Sequence, residues 1–196
     1  MPFAKTCDLP EIINKSVVFL LFNLIQAYLN MIVVNSSPMQ TSEFLILGIG
    51  NPLMTDDGIG VHLARLLADD PYRPTHVKCL DGGTLGYLLA GQIEETCNLI
   101  VIDAAQLNSP PGTVKVFENE AMDQFLNTHP NCSVHEVGLA DLMTMALLSN
   151  HLPRRRALIA VQPRETGWGT ELSAEVSDAI PLVREKTWEL IASWRT

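Results

Sequence analysis

The sequence predicts an α/β domain: a three-layer α/β/α sandwich around a mostly parallel sheet with at least one antiparallel strand. Three observations carry that expectation. From Phe44 onward, short apolar runs of strand length alternate with stretches of helical periodicity, the pattern of parallel strands joined by crossover helices. The segment GIGNPLMTDDGIG, residues 48–60, follows the first apolar run directly and opens a helical pattern, as a glycine-rich strand-to-helix turn does. Asp56, Asp57, Asp81 and Asp103 all fall after or at the end of an apolar run, where the loops of an open parallel sheet gather and ligands bind.

Taken in order, the strand-like runs are residues 44–47, 76–80, 99–102, 113–117 and 157–161. After the first, Ile59, Leu63, Leu66 and Leu67 recur at i, i+4, i+7 and i+8, giving a helix with one apolar face for the sheet. Residues 87–93 read as a second helix, a third starts near His135 and runs through LADLMTMALL, and the last spans about 173–194. Ser173 suits an N-cap, and Pro181 marks a break or a new first turn. Only a short Pro-Pro-Gly loop separates Asp103 from the run 113–117. It is too short for a crossover helix, so that strand is expected to be antiparallel.

A chain of 196 residues, 47% hydrophobic and 18% charged, has the composition of one globular domain with a substantial core. Its 13 Lys and Arg against 22 Asp and Glu give a formal net charge of −9. A nucleic-acid partner is not expected, because such binders present a basic face. The one basic run, Arg154-Arg155-Arg156, reads as a solvated loop before a strand. Four cysteines without CxxC spacing imply no disulfide framework and fit a reducing, cytoplasmic compartment.

Residues 1–43 stand apart from the domain at 44–196. Within them, VVFLLFNLIQAYLNMIVV (17–34) is 18 residues long and nearly all apolar, the lower limit for a membrane span. Asn23, Gln26 and Asn30 place amides on one stripe of such a helix, a cost in lipid, and no small-x-small cleavage site follows. Met31 and Met39 are alternative starts. The extension reads first as non-native or dispensable, next as an extra helix, and last as an anchor; membrane contact is expected only if it is native and exposed.

The aspartates call for a cation, a cationic ligand or raised pKa values, since crowded like charges repel. Dinucleotide binding fits poorly: GxGxxG would need glycine where Leu53 stands, acidic residues repel a pyrophosphate, and no GxxxxGK[ST] is present. Adjacent Asp56 and Asp57 point about 100° apart on a helix. Asp56 suits an N-cap and Asp57 a cleft-facing role, although both could simply complement the helix dipole. Of the five histidines, His135 precedes a helical pattern, and with Asp57 and Asp103 it would make an O,O,N site for a transition metal. Cys132 and His135 are a second possible pair. HExxH and GxSxG are absent.

Four motifs in order, LGIGNPLMTDDGIG, LDGGTLG, LIVIDAAQ…PPGT and HEVGLADLM, resemble the endopeptidases that mature nickel–iron hydrogenases. The resemblance covers nearly everything from Phe44 to Arg195. It implies the same three-layer fold, and it implies that Asp57, Asp103 and His135 bind metal and carry the catalysis; many relatives have Asp-Glu where this chain has Asp56-Asp57. It further implies a partner, the precursor of the hydrogenase large subunit, from which a C-terminal extension is removed. The nickel is supplied by that substrate, and no permanent cofactor is expected. Asp81, Gly82 and Gly83 would line the cleft at the substrate, with Asp81 either supporting the backbone or contacting substrate directly. Either the metal polarises the scissile carbonyl or a water, or a carboxylate acts as general base. The alternatives are a resident-zinc hydrolase of other specificity and a non-enzymatic metal- or nucleotide-binding module.

Overall fold

Five strands form one sheet in the order β2-β1-β3-β5-β4. In chain order these are β1 (Phe44–Ile49), β2 (Val77–Gly83), β3 (Asn98–Ala104), β4 (Val114–Glu118) and β5 (Arg155–Val161). The helices are α1 (Ile59–Ala68), α2 (Ala90–Glu94), α3 (Glu120–Thr128), α4 (Leu139–Leu148) and α5 (Ala174–Trp194), with short 3-10 turns at Thr55–Gly58 and Gly86–Leu89. The computed structural model describes residues 44–84, 86–128 and 138–195. The extension 1–43 and the residues His129, Cys132 and His135 lie outside the described residues.

β1 pairs in parallel with β2 and β3, and β3 with β5. The run 113–117 is antiparallel as expected, but its partner is β5, which lies between β3 and β4. Strand alternation then divides the core into two layers. Phe44 and Ile46 of β1, Ile100 and Ile102 of β3, and Ala157 and Ile159 of β5 pack against Ile59, Leu63 and Leu67 of α1 and Val176, Val183 and Ile191 of α5. The residues between them, Leu45, Leu47, Leu99, Val101 and Leu158, face Ile93 of α2, Met122 and Phe125 of α3, and Leu142 and Met143 of α4. Both faces of the sheet are thus covered, which is why its central strands read as continuous apolar runs rather than alternating ones.

Several expectations need correction. β2 continues through Asp81, Gly82 and Gly83, so Asp81 lies within the strand and not after it. Arg155 and Arg156 belong to β5, and Arg156 is buried. Its guanidinium grips the carboxylate of Asp123 on α3 through both Nε and Nη2, and that bond holds its pKa above the ordinary value. A buried arginine is tolerated because it is paired in this bidentate way. Pro181 does not break α5, which runs unbroken through it. Pro181 and Ser177, whose carbonyl loses its i+4 donor, are both exposed, so water can serve that carbonyl. Helix α3 has no counterpart in the sequence reading. It is a nine-residue helix whose apolar stripe is only Met122, Phe125 and Leu126 at i, i+3 and i+4 on an otherwise mostly polar segment. Among the described residues, no helix is long and apolar enough to cross a membrane.

Candidate active site

The strand order places a topological switch point at β1. The chain leaves β1 toward β2 on one side and returns to β3 on the other, so the loops at their carboxyl ends diverge and leave a crevice. Two close backbone contacts set its floor. A Cβ on Gly60 would lie 2.2 Å from the carbonyl oxygens of Ile49 and Ile102, and one on Gly48 would lie 2.0 Å from the carbonyl oxygen of Gly60. Only glycines allow the start of α1 to sit directly on β1 and β3. Gly50, at φ +138°, turns the chain beneath the carbonyl of Asp57, a conformation that favours glycine.

The turn that follows places the two adjacent aspartates differently. Asp57 is 4% exposed, and its Oδ2 accepts the Asn51 N–H at 2.8 Å. The 3-10 turn that carries it packs on β3. Near the end of β3, Asp103 is 5% exposed. By alternation it shares the sheet face of Leu99 and Val101, the face covered by α2, α3 and α4. The structure thus brings Asp57 and Asp103 to one end of the β1–β3 crevice. Helix α4, on that same face, starts at Leu139, four residues after His135.

Asp56 does not cap α1. The helix has Gly58 at its N-cap position and no side-chain cap. Fully buried, the Asp56 carboxylate reaches across to the segment between β5 and α5. It accepts the N–H groups of Arg164 (2.9 Å), Glu165 (3.1 Å) and Ser173 (2.7 Å), and the Ser173 hydroxyl at 2.9 Å. Four donors offset the cost of burying a carboxylate. Ser173 does stand at the N-cap of α5, but its side chain makes no cap bond, because its hydroxyl is given to Asp56. This clasp had no signal in the spacing, since its ends lie 108 to 117 residues apart.

Asp81 sits on the edge strand and is exposed. Its Oδ2 accepts Arg65 Nε and Nη2 of α1 at 2.9 and 2.7 Å, and its Oδ1 accepts the Gly83 N–H at 3.0 Å. Gly82 is buried against Leu47, and Gly83 (φ +49°) accepts the Gly50 N–H through its carbonyl. The DGG segment therefore leans directly on the turn that holds the buried aspartates. Arg65 was not singled out in the sequence; one face of an amphipathic helix gives no hint of which strand end it meets.

His76 sits at the amino end of β1, its ring 5.9 Å from that of Phe44 and tilted by 58°, whereas His62 lies beside Gly58. Cys79 is half-buried, and burial pushes its thiol up to about 11, the wrong direction for a nucleophile. Among the described residues no three His, Cys, Asp or Glu side chains are placed to hold a metal ion, a set that does not include His135. A groove of about 180 Å³ between α3 and α4, lined by residues such as Leu126, Met143 and Leu152, contains none of the edge aspartates. The acidic crevice, not this apolar volume, has the donor chemistry of a site.

Comparisons with known proteins identify the family. The family model described as hydrogenase maturation protease matches residues 61–189. The hydrogenase expression/formation protein HupD of Rhizobium leguminosarum bv. viciae is 34% identical over 158 residues, covering 80% of this chain and 78% of its own. The hydrogenase 2 maturation protease of Escherichia coli K12 is 33% identical over 122 residues, 62% of this chain and 73% of that one. Among solved structures, the hydrogenase maturating endopeptidase HybD of E. coli superposes with a TM-score of 0.71 at 29% identity, covering 77% of this chain and 93% of its own. With a family match over residues 61–189, a relative of 34% identity over most of both chains and a solved structure of the same fold, the chain belongs to the hydrogenase maturation protease family.

Proposed function

We propose that this protease removes the C-terminal extension from the nickel-loaded precursor of a nickel–iron hydrogenase large subunit, acting in the cytoplasm. The observation that carries the reading is the pair of buried carboxylates, Asp57 and Asp103, at the β1–β3 switch point. Two aspartates held out of water at one crevice end favour a cation between them. Carboxylate oxygens with an imidazole nitrogen from His135 would form a partial ligand set with open positions. The names of the relatives, a hydrogenase 2 maturation protease and a hydrogenase maturating endopeptidase, supply the reaction class and the partner.

In this reading the nickel arrives with the substrate, and the protein holds no resident metal. Asp57 and Asp103, with His135, engage the nickel of a loaded precursor; an unloaded precursor lacks that contact and is rejected. The scissile peptide then lies across the crevice. Hydrolysis proceeds by polarisation of its carbonyl by the metal, or by a carboxylate that takes a proton from the attacking water. Asp81, Gly82 and Gly83 line the approach. Asp81 is already bonded to Arg65 and Gly83, so its main contribution is to the shape of the strand end.

The test is cleavage of purified precursor large subunit, read as a mobility shift on a gel, with metal analysis of the protease alone. Asp57→Ala, Asp103→Ala and His135→Ala are each expected to abolish the shift while circular dichroism stays native. Normal processing by all three variants, or stoichiometric zinc in the purified protease, would refute the reading.

A further inference from the structure

The segment between β5 and α5 has no regular secondary structure, yet it is fixed at many points. Besides the four donors on Asp56, the Thr55 hydroxyl donates to the carbonyls of Glu165 (2.9 Å) and Gly167 (3.3 Å). The Thr55 N–H bonds Gly169 O at 2.8 Å, the Asp56 N–H bonds Glu165 O, and the Gly169 N–H returns to Leu53 O at 3.0 Å. Thr55 adopts φ +42° to make these contacts, a conformation rare for a threonine. At the tip of this stitched loop, between Gly167 and Gly169, Trp168 stands 85% exposed, and Leu53, whose carbonyl accepts the Gly169 N–H, is exposed too.

An indole held out by a rigid loop is costly to leave in water and loses little entropy when covered. We propose that the Trp168–Leu53 shoulder is a docking surface for the folded body of the precursor large subunit, with Asp56 as the residue that positions it. This rests on the function proposed above.

Three features select that occupant. The shoulder is hydrogen-bonded to the turn that carries Asp57, through Gly169 to Leu53 and then Met54 to the Asp57 N–H, so a polypeptide brought to Asp57 passes beside it. The loop carries Glu165 and Glu171, and its one arginine, Arg164, is bonded to Glu175. With a chain charge of −9, a nucleic acid stacking on the indole would be repelled. The indole projects from a tip and not from a concavity, a geometry that fits a pocket on a second protein rather than a small ligand. On the other sheet face, Tyr87 and Leu88 are also exposed in the turn that follows β2. The acidic crevice therefore has an apolar shoulder on each side, and a broad protein surface could cover both.

The experiment uses the full chain and nickel-loaded precursor. Processing kinetics are measured for wild type, Trp168→Ala and Trp168→Phe, and precursor is titrated into 5-fluorotryptophan-labelled protease followed by ¹⁹F NMR. Trp168 is one of three tryptophans, and the other two are half-buried or buried. Trp168→Ala is expected to raise KM by about tenfold or more with kcat within about twofold, the behaviour of a binding hot spot. Trp168→Phe should recover most of that loss, and the Trp168 resonance should shift as precursor is added. If wild type processes the precursor while Trp168→Ala has an unchanged KM and the resonance stays put, the docking surface is wrong and the proposed function stands. If wild type does not cleave the precursor at all, the proposed function falls and the docking surface falls with it.

Discussion

In the turn after β1, Asp56 is sealed from water and its carboxylate is filled by three backbone N–H groups and one hydroxyl. At the end of β2, on the same edge of the sheet, Asp81 is exposed and shares its charge with a single arginine and one backbone N–H. The residue type and the strand end are alike, but the jobs differ. Where the interior forbids water, an aspartate must be fully satisfied, and the network that satisfies it becomes rigid. Where water is present, the same side chain makes a replaceable contact. The buried carboxylate therefore decides where a distant loop sits, whereas the exposed one only trims a strand end.

Three substitutions would sharpen or break that contrast. The largest effect is expected beneath both regions, at Gly60→Ala. The added methyl would overlap the carbonyls of Ile49 and Ile102, and backbone cannot swing aside as a side chain can. A loss of about 4 kcal/mol or more is expected, seen as insoluble protein or a collapsed urea midpoint; a midpoint within experimental error of wild type would mean that α1 does not need its close approach to the sheet. Next is Asp56→Ala, which strands four donors. Urea unfolding is expected to show a loss of about 3 kcal/mol, with Asp56→Asn losing less. Smallest is Arg65→Ala, which frees Asp81 on the exposed edge and should change stability by no more than about 1 kcal/mol. Should Arg65→Ala cost as much as Asp56→Ala, burial would not be what separates the two loops.

The same contrast explains how much could be read from the sequence. The layered fold was legible because apolar periodicity is local: the strand runs and the α1 stripe are set within ten residues. The antiparallel β4 followed from loop length alone, but its pairing with β5 did not, because a strand inserted from forty residues downstream leaves no local mark. Asp57 and Asp103 could be placed at strand ends by order. The role of Asp56 could not, since the cap position looked sufficient and the true donors arrive from residues 164–173. Arg156 was misread for a related reason. Its charge suggested solvent, and its partner Asp123 lies on α3, a short helix 33 residues away in the chain.

The Asp56 clasp also has a consequence in time. Its two ends are 117 residues apart in the chain, so the turn beside Asp57 cannot lock when the first strand and helix leave the ribosome. It must wait for β5 and for Ser173. Contacts of such long range form late in folding. A chain synthesised only as far as β4 therefore carries Asp56 and Asp57 in a turn that is not yet set, and the turn can set only after Ser173 has emerged.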